Sequence, residues 1–201
     1  MVPFVHNFIP SPSGSNLTLL GLHGTGGDES EILGLLRAIH PDASLLAPRG
    51  KSTDEGVNRY FRRLSEGVFD MADLVERTEE LAEWVEWART TYGLQDVVAV
   101  GYSNGANIGS SLLFARPSAL QGLIGLRGMT AFVDEEAELS GKNVLLINGQ
   151  SDPIVPHGDA TGLALSLRKA GASVQHEWLA TGHHLTQQDV LLSRDWLGKQ
   201  G

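Results

Sequence analysis

Five consecutive residues, Gly101-Tyr102-Ser103-Asn104-Gly105, spell G-x-S-x-G. A serine in that frame is a nucleophile where the two glycines permit a sharp turn from a strand into a helix that pushes the hydroxyl outward. The hydroxyl is weak on its own. It needs a base to take its proton, and the base needs an acid to orient it. Both follow in that order along the chain: Asp152 in Ser151-Asp152-Pro153, then His183 in Gly182-His183-His184. The three residue types together point to acyl transfer through a covalent serine intermediate, with His183 as base and Asp152 holding the imidazole. The plainer alternatives are a glycine-lined packing turn at Ser103 and a turn-forming aspartate ahead of Pro153.

Other histidines compete for the role of base. His157 shares the loop that carries Asp152, and His184 takes the role if the loop is read one residue late, whereas His40 before Pro41 and His176 within a strand read as structural. A second glycine cluster, Leu22-His23-Gly24-Thr25-Gly26-Gly27-Asp28, resembles a phosphate loop only superficially. The dinucleotide spacing from Gly24 would require glycine at position 29, which is Glu29, and Gly50-Lys51-Ser52 lacks the first P-loop glycine because position 45 is Leu45. The better reading is an oxyanion loop, with the backbone N–H groups of Thr25 and Asn104 as the two donors and His23 as a brace. A glycine-rich turn with no anion role is the alternative.

These residues need a scaffold that brings distant loops together. Apolar runs at Leu17–Leu22, Leu45–Ala47, Val97–Val100, Leu123–Leu126, Val144–Ile147 and Val174–Leu179 alternate with helical patterns, as parallel strands and crossover helices do. Most runs are apolar on consecutive positions, as expected when both faces of a sheet are covered. Phe4 to Phe8 adds an edge-strand candidate. Helices are predicted around Ile32–Ile39, from Leu74 to Tyr92, from Asn104 to Arg116, and around Leu163 and Leu167, stopping at Gly171. A last one opens with the capping-box pair Thr186 and Asp189. On this map Ser103, Asp152 and His183 all follow strands, at the ends where a parallel α/β sheet gathers its chemistry. The serine, aspartate, histidine order is that of the α/β-hydrolase fold, a mostly parallel central sheet with helices on both faces. Two irregular segments, Pro48–Asp70 and Met129–Gly141, remain.

Composition narrows the classes further. At 201 residues, with 41% hydrophobic residues, the chain reads as one domain spanning 1–201. It has no cysteine, which excludes a thiol nucleophile, and a net charge of -9 from 15 basic and 24 acidic residues disfavours nucleic acid. The arginine cluster Arg59, Arg62 and Arg63 sits beside Asp54, Glu55 and Glu66 and does not alter that reading. No apolar run is long enough to span a bilayer and the start lacks a signal-peptide pattern, so no membrane insertion and a cytoplasmic location are expected.

The strings His23-Gly24-Thr25-Gly26-Gly27, Gly101-Tyr102-Ser103-Asn104-Gly105, Ser151-Asp152-Pro153-Ile154-Val155-Pro156 and Gly182-His183-His184-Leu185-Thr186 resemble the small bacterial carboxylesterase/phospholipase family of α/β-hydrolases. Gly56-Val57-Asn58-Arg59-Tyr60-Phe61 and Phe69-Asp70 bring the match closer to its cap-less branch. The resemblance runs from about Leu17 to Leu197. It implies a triad at Ser103, Asp152 and His183, oxyanion donors at Thr25 and Asn104, and no cap domain. Dienelactone hydrolases share the architecture but use cysteine, and acyl-protein thioesterases tend to carry Gln where this chain has Asn104.

The mechanism needs no metal and no organic cofactor. The expected partner is a small-molecule ester, and the expected assembly a monomer or homodimer. Asn58, Tyr60 and Phe61 are candidate walls of an open site. Met129, Ile154, Val155 and Leu185 are candidates either for an apolar acyl pocket suited to short or medium chains or for ordinary core. Thioesterase, lysophospholipase and acyltransferase activities would use the same residues, and a non-catalytic binding module would need none of them.

Overall fold

A computed structural model describes residues 3–53, 56–65 and 67–200. Asp54, Glu55 and Glu66, the acidic neighbours of the arginine cluster, lie outside the described residues.

The alternating apolar runs form one seven-stranded sheet. Its strands are β1 (His6–Ile9), β2 (Leu17–Leu22), β3 (Ser44–Pro48), β6 (Asp96–Tyr102), β7 (Gly122–Leu126), β8 (Asn143–Gly149) and β9 (Ser173–Leu179). They lie in the order β1-β3-β2-β6-β7-β8-β9. Every pairing is parallel except that of β1, which runs antiparallel to β3 at the edge. The edge strand expected at Phe4 to Phe8 is thus present, shifted to His6–Ile9.

Side-chain alternation divides the strands between two cores. Leu20, Ala99, Leu123 and Leu146 face α2 (Met71–Tyr92), α3 (Asn104–Ala115) and α4 (His157–Lys169). Leu19, Val98, Ile124 and Leu145 face α1 (Ile32–Ile39) and α5 (Gln187–Leu197). Burial of both faces explains the absence of alternation in the central strands. The outermost strand β9 has most of its residues only half-buried or exposed.

The segment Pro48–Asp70 is less irregular than the sequence suggests. Its end folds into a small antiparallel hairpin, β4 (Arg63–Ser65) with β5 (Val68–Phe69), followed at once by α2, whose first turn is capped by the Asp70 side chain accepting from the Asp73 amide at 3.1 Å. No described helix is long and apolar enough to cross a membrane.

Strand order reverses at β2. From there the chain moves outward to β3, then returns to place β6 on the other side. The carboxyl ends of β2 and β6 therefore flank the crevice in which open α/β sheets bind ligands. The glycine cluster leaves β2 there and Ser103 leaves β6. Close backbone approach at this point demands glycine, since a Cβ on Gly105 would collide with the carbonyl oxygens of Leu22 and His23. Gly34, on the outside of α1, meets nothing within 4 Å. Gly105→Ala is expected to lower stability by about 1–3 kcal/mol in urea denaturation through overpacking. Gly34→Ala should raise it by roughly 0.5–1 kcal/mol through helix propensity alone.

Candidate active site

Ser103 occupies a single residue between β6 and α3, with φ 53° and ψ -113°. That left-handed backbone is strained for a residue bearing a Cβ and presents the side chain at the apex of the turn. The Ser103 amide is tied down by donation to the Leu126 carbonyl at 2.8 Å.

The structure brings Ser103, Asp152 and His183 into one hydrogen-bonded line. The Ser103 hydroxyl lies 3.0 Å from His183 Nε2, and His183 Nδ1 lies 2.8 Å from Asp152 Oδ2. Since a carboxylate only accepts, the ring carries its proton on Nδ1 and leaves Nε2 free to accept from Ser103 Oγ–H. Asp152 is fixed in turn, as its Oδ1 accepts from the amides of Ile154 at 2.8 Å and Val155 at 3.1 Å. The carboxylate side chain is 1% exposed and the imidazole 13%, so the pair is shielded from water while the ring still borders the opening.

The competing histidines are placed elsewhere. His157 opens α4 on the surface, donates from Nε2 to the Gln150 carbonyl at 3.0 Å and stacks on Trp178 with centroids 4.0 Å apart. His184 is exposed and lines a cleft of about 280 Å³ with Gly24, Ile32, Leu35, Tyr102 and Leu185, and it is His183 that bonds Ser103. His176 bonds through Nε2 to Asn148 Oδ1 at 3.1 Å, and burial lowers its pKa. Larger clefts beside Trp87 and Trp196 contain none of the site residues read from the sequence.

The glycine cluster is held from two sides. Gly26 N–H donates to the Asn58 carbonyl at 2.9 Å, and the Asn58 side-chain amide donates to the Gly27 carbonyl at 3.0 Å. Neither the Thr25 N–H nor the Asn104 N–H is hydrogen-bonded to another described group. Asn104 also uses its side chain, accepting from the Tyr60 amide at 2.7 Å.

Two wall assignments need correction. Tyr60 and Phe61, expected to flank the site, are 2% and 0% exposed and belong to the core beneath it. Tyr60 donates its hydroxyl to the Pro48 carbonyl at 2.6 Å, and burial pushes its pKa upward. Asn58 braces the glycine loop. Met129 and Val155 form a small buried cluster with Ala160, Ile154 is exposed, and Leu185 is half-buried at the cleft. Tyr102 was not singled out by the sequence as more than a filler of the motif, yet its hydroxyl donates to the His183 carbonyl at 3.2 Å.

A mostly parallel sheet with a serine at a strained strand-to-helix turn and a histidine and aspartate from two later strand ends defines the α/β-hydrolase class. No protein-family model matches the chain. It is 42% identical over 190 residues to the Bacillus subtilis (strain 168) protein named "Putative hydrolase MhqD", spanning 90% of this chain and 92% of that one. A Bacillus cereus carboxylesterase superposes with a TM-score of 0.95 at 38% identity, over 100% of this chain and 96% of the other. A Mesorhizobium loti carboxylesterase gives 0.87 at 31% identity, over 92% and 89%. The chain belongs to the carboxylesterase/phospholipase family of α/β-hydrolases and is a hydrolase.

His23 shows how the loop depends on protonation. It is 2% exposed, its Nδ1 donates to the Gly24 carbonyl at 2.7 Å, and its Nε2 accepts from the Gly50 amide at 2.9 Å. Only the neutral ring satisfies both bonds, and burial lowers its pKa below the ordinary 6.5. The unfolded chain therefore takes up this proton first, and stability present above the ordinary value is lost as pH falls from there toward the folded value. Between pH 7.5 and 5 the wild type should lose more stability in urea denaturation than His23→Gln. An equal or smaller loss would show that His23 does not titrate as a buried neutral group.

Proposed function

We propose that the chain is a serine esterase that hydrolyses small carboxylic esters through an acyl-enzyme. The observation that carries this reading is the continuous line from Ser103 Oγ through His183 to the Asp152 carboxylate, at 3.0 and 2.8 Å.

His183 Nε2 takes the proton of the Ser103 hydroxyl as Oγ attacks the ester carbonyl. Negative charge then develops on the carbonyl oxygen, where the unengaged N–H groups of Thr25 and Asn104 act as donors. The Asn104 N–H is also at the amino end of α3, whose dipole favours an anion. Asp152 stabilises the imidazolium without taking its proton. The tetrahedral species collapses, His183 returns the proton to the departing alkoxide, and the alcohol leaves. Water repeats the sequence on the acyl-serine, releasing the acid and restoring the enzyme.

An oxyanion-hole donor of this kind contributes about 2.7–4 kcal/mol to the transition state. Being backbone N–H groups, both donors survive side-chain replacement, so substitutions at Thr25 and Asn104 affect them only by moving the loop or the turn.

Incubation with a fluorophosphonate should label Ser103. Ser103→Ala should abolish labelling and lower p-nitrophenyl ester hydrolysis about 10⁴-fold or more, with Asp152→Asn falling about 10⁴-fold. A series of acyl lengths should favour short and medium chains. Full esterase activity in Ser103→Ala, or labelling of another residue, would overturn the proposal.

A further inference from the structure

We infer that Arg127 is a positioning residue for His183, a buried clamp that sets where the histidine loop meets the nucleophile. The inference rests on the reading of His183 as the base.

Arg127 directly follows β7 and its side chain is 0% exposed, as is that of its partner Asp189. All five guanidinium N–H donors are engaged. Nε donates to the Gly182 carbonyl at 3.1 Å, and Nη1 to the Ile147 carbonyl at 3.1 Å and to Asp189 Oδ1 at 2.6 Å. Nη2 donates to the His184 carbonyl at 3.0 Å and to Asp189 Oδ2 at 2.9 Å. The two loop carbonyls it grips are those on either side of His183.

Asp189 is itself fixed at the start of α5. Its Oδ2 accepts from the Thr186 amide at 2.7 Å and the Thr186 hydroxyl at 2.8 Å. The clamp thus joins the end of β8, the histidine loop and the first turn of α5 through one planar group.

The backbone of Arg127 completes the connection. Among the described residues, Ser103 and Arg127 are the two non-glycine positions with positive φ, at 53° and 56°. The Leu126 carbonyl accepts from the Ser103 amide at 2.8 Å, while the Arg127 amide donates to the Ile147 carbonyl at 2.8 Å. A strained residue is retained where its surroundings over-determine it. Here they do so at the junction of the serine turn, the strand leading to Asp152 and the loop bearing His183.

Stability alone does not account for the pair, since a buried ion pair is often replaced by apolar residues of similar volume without loss. Geometry does account for it. A guanidinium offers a rigid fork able to hold two carbonyls in a fixed relation, and a lysine ammonium offers a single point of charge. Displacement of a reacting group by about 1 Å can cost about 10²-fold in rate.

The test compares Arg127→Lys and Asp189→Glu, the second keeping the charge while moving the carboxylate by one methylene. Each is measured alone and on a His183→Ala background, with Leu81→Ala in the α2 core as a control for stability loss. The expected result, per folded molecule, is a fall in kcat of about 10- to 100-fold with KM within about twofold, and fluorophosphonate labelling slowed in proportion. On the His183→Ala background neither change should lower the residual rate further, because the residue through which the clamp acts is gone. Leu81→Ala should lose stability and keep its kcat. Wild-type kcat in folded Arg127→Lys and Asp189→Glu, an equal fractional loss with and without His183, or failure of both variants to fold would overturn the clamp in favour of a structural ion pair. Full activity in His183→Ala would instead overturn the assignment of the base.

Discussion

The chain passes from strand to helix across one residue, Ser103, and the arrangement around it follows from the backbone of that turn. A left-handed φ at a residue with a Cβ is unfavourable unless the flanking segments leave no other path. Gly101 and Gly105 supply that condition from both sides: a Cβ on either would run into backbone, of Gly105 in the first case and of Leu22 and His23 in the second. The end of β2 can therefore come up against the first turn of α3, which sets the start of the glycine loop beside the helix amino terminus. Strand order and site geometry have one cause here, the close approach of two backbones where the sheet reverses direction.

The polar groups around this turn are connected through main chain more than through side chains. Asp152 is oriented by two amides, the histidine loop is held through the carbonyls of Gly182, His183 and His184, and Gly26 bonds the carbonyl of Asn58. Main-chain partners lose no side-chain freedom when they bind, so they hold a position at lower entropic cost than pairs of long side chains. The buried side chains that intrude into this network, His23, Tyr60 and Arg127, each satisfy carbonyl or amide groups that irregular backbone would otherwise leave unpaired.

What could be read in advance followed this physical division. Strands buried on both faces leave runs of branched residues, and long helices leave a regular apolar spacing, so the sheet order of chemistry, serine then aspartate then histidine, was legible in the linear sequence. Thr186 and Asp189 also declared a helix start correctly, though not that the carboxylate would serve a buried arginine. Burial within irregular segments leaves no period. Tyr60 and Phe61, in a loop among arginines, looked like exposed walls because nothing local records that this backbone closes against Asn104 and the glycine loop. Arg127 did carry a signal: a lone cation between a fully apolar strand and Gly128-Met129. Its meaning depends on a partner 62 residues away, which no local pattern can supply.

The segment Pro48–Asp70 braces both elements that flank the crevice. It is the longest departure from regular structure near the crevice, the kind of loop in which specificity is usually altered on a constant scaffold. Yet Asn58 holds the glycine loop, Gly50 bonds His23, and the Tyr60 amide bonds Asn104. A change of sequence here that reshapes the site also loads the elements bearing Thr25 and Asn104. The shape of this segment and the positions of those two N–H groups are therefore mechanically coupled. The bracing continues past residue 61, where the Arg62 amide donates to the Asp73 carboxylate and Asp70 caps α2, whereas the Leu64 and Val68 side chains of the β4–β5 hairpin are exposed.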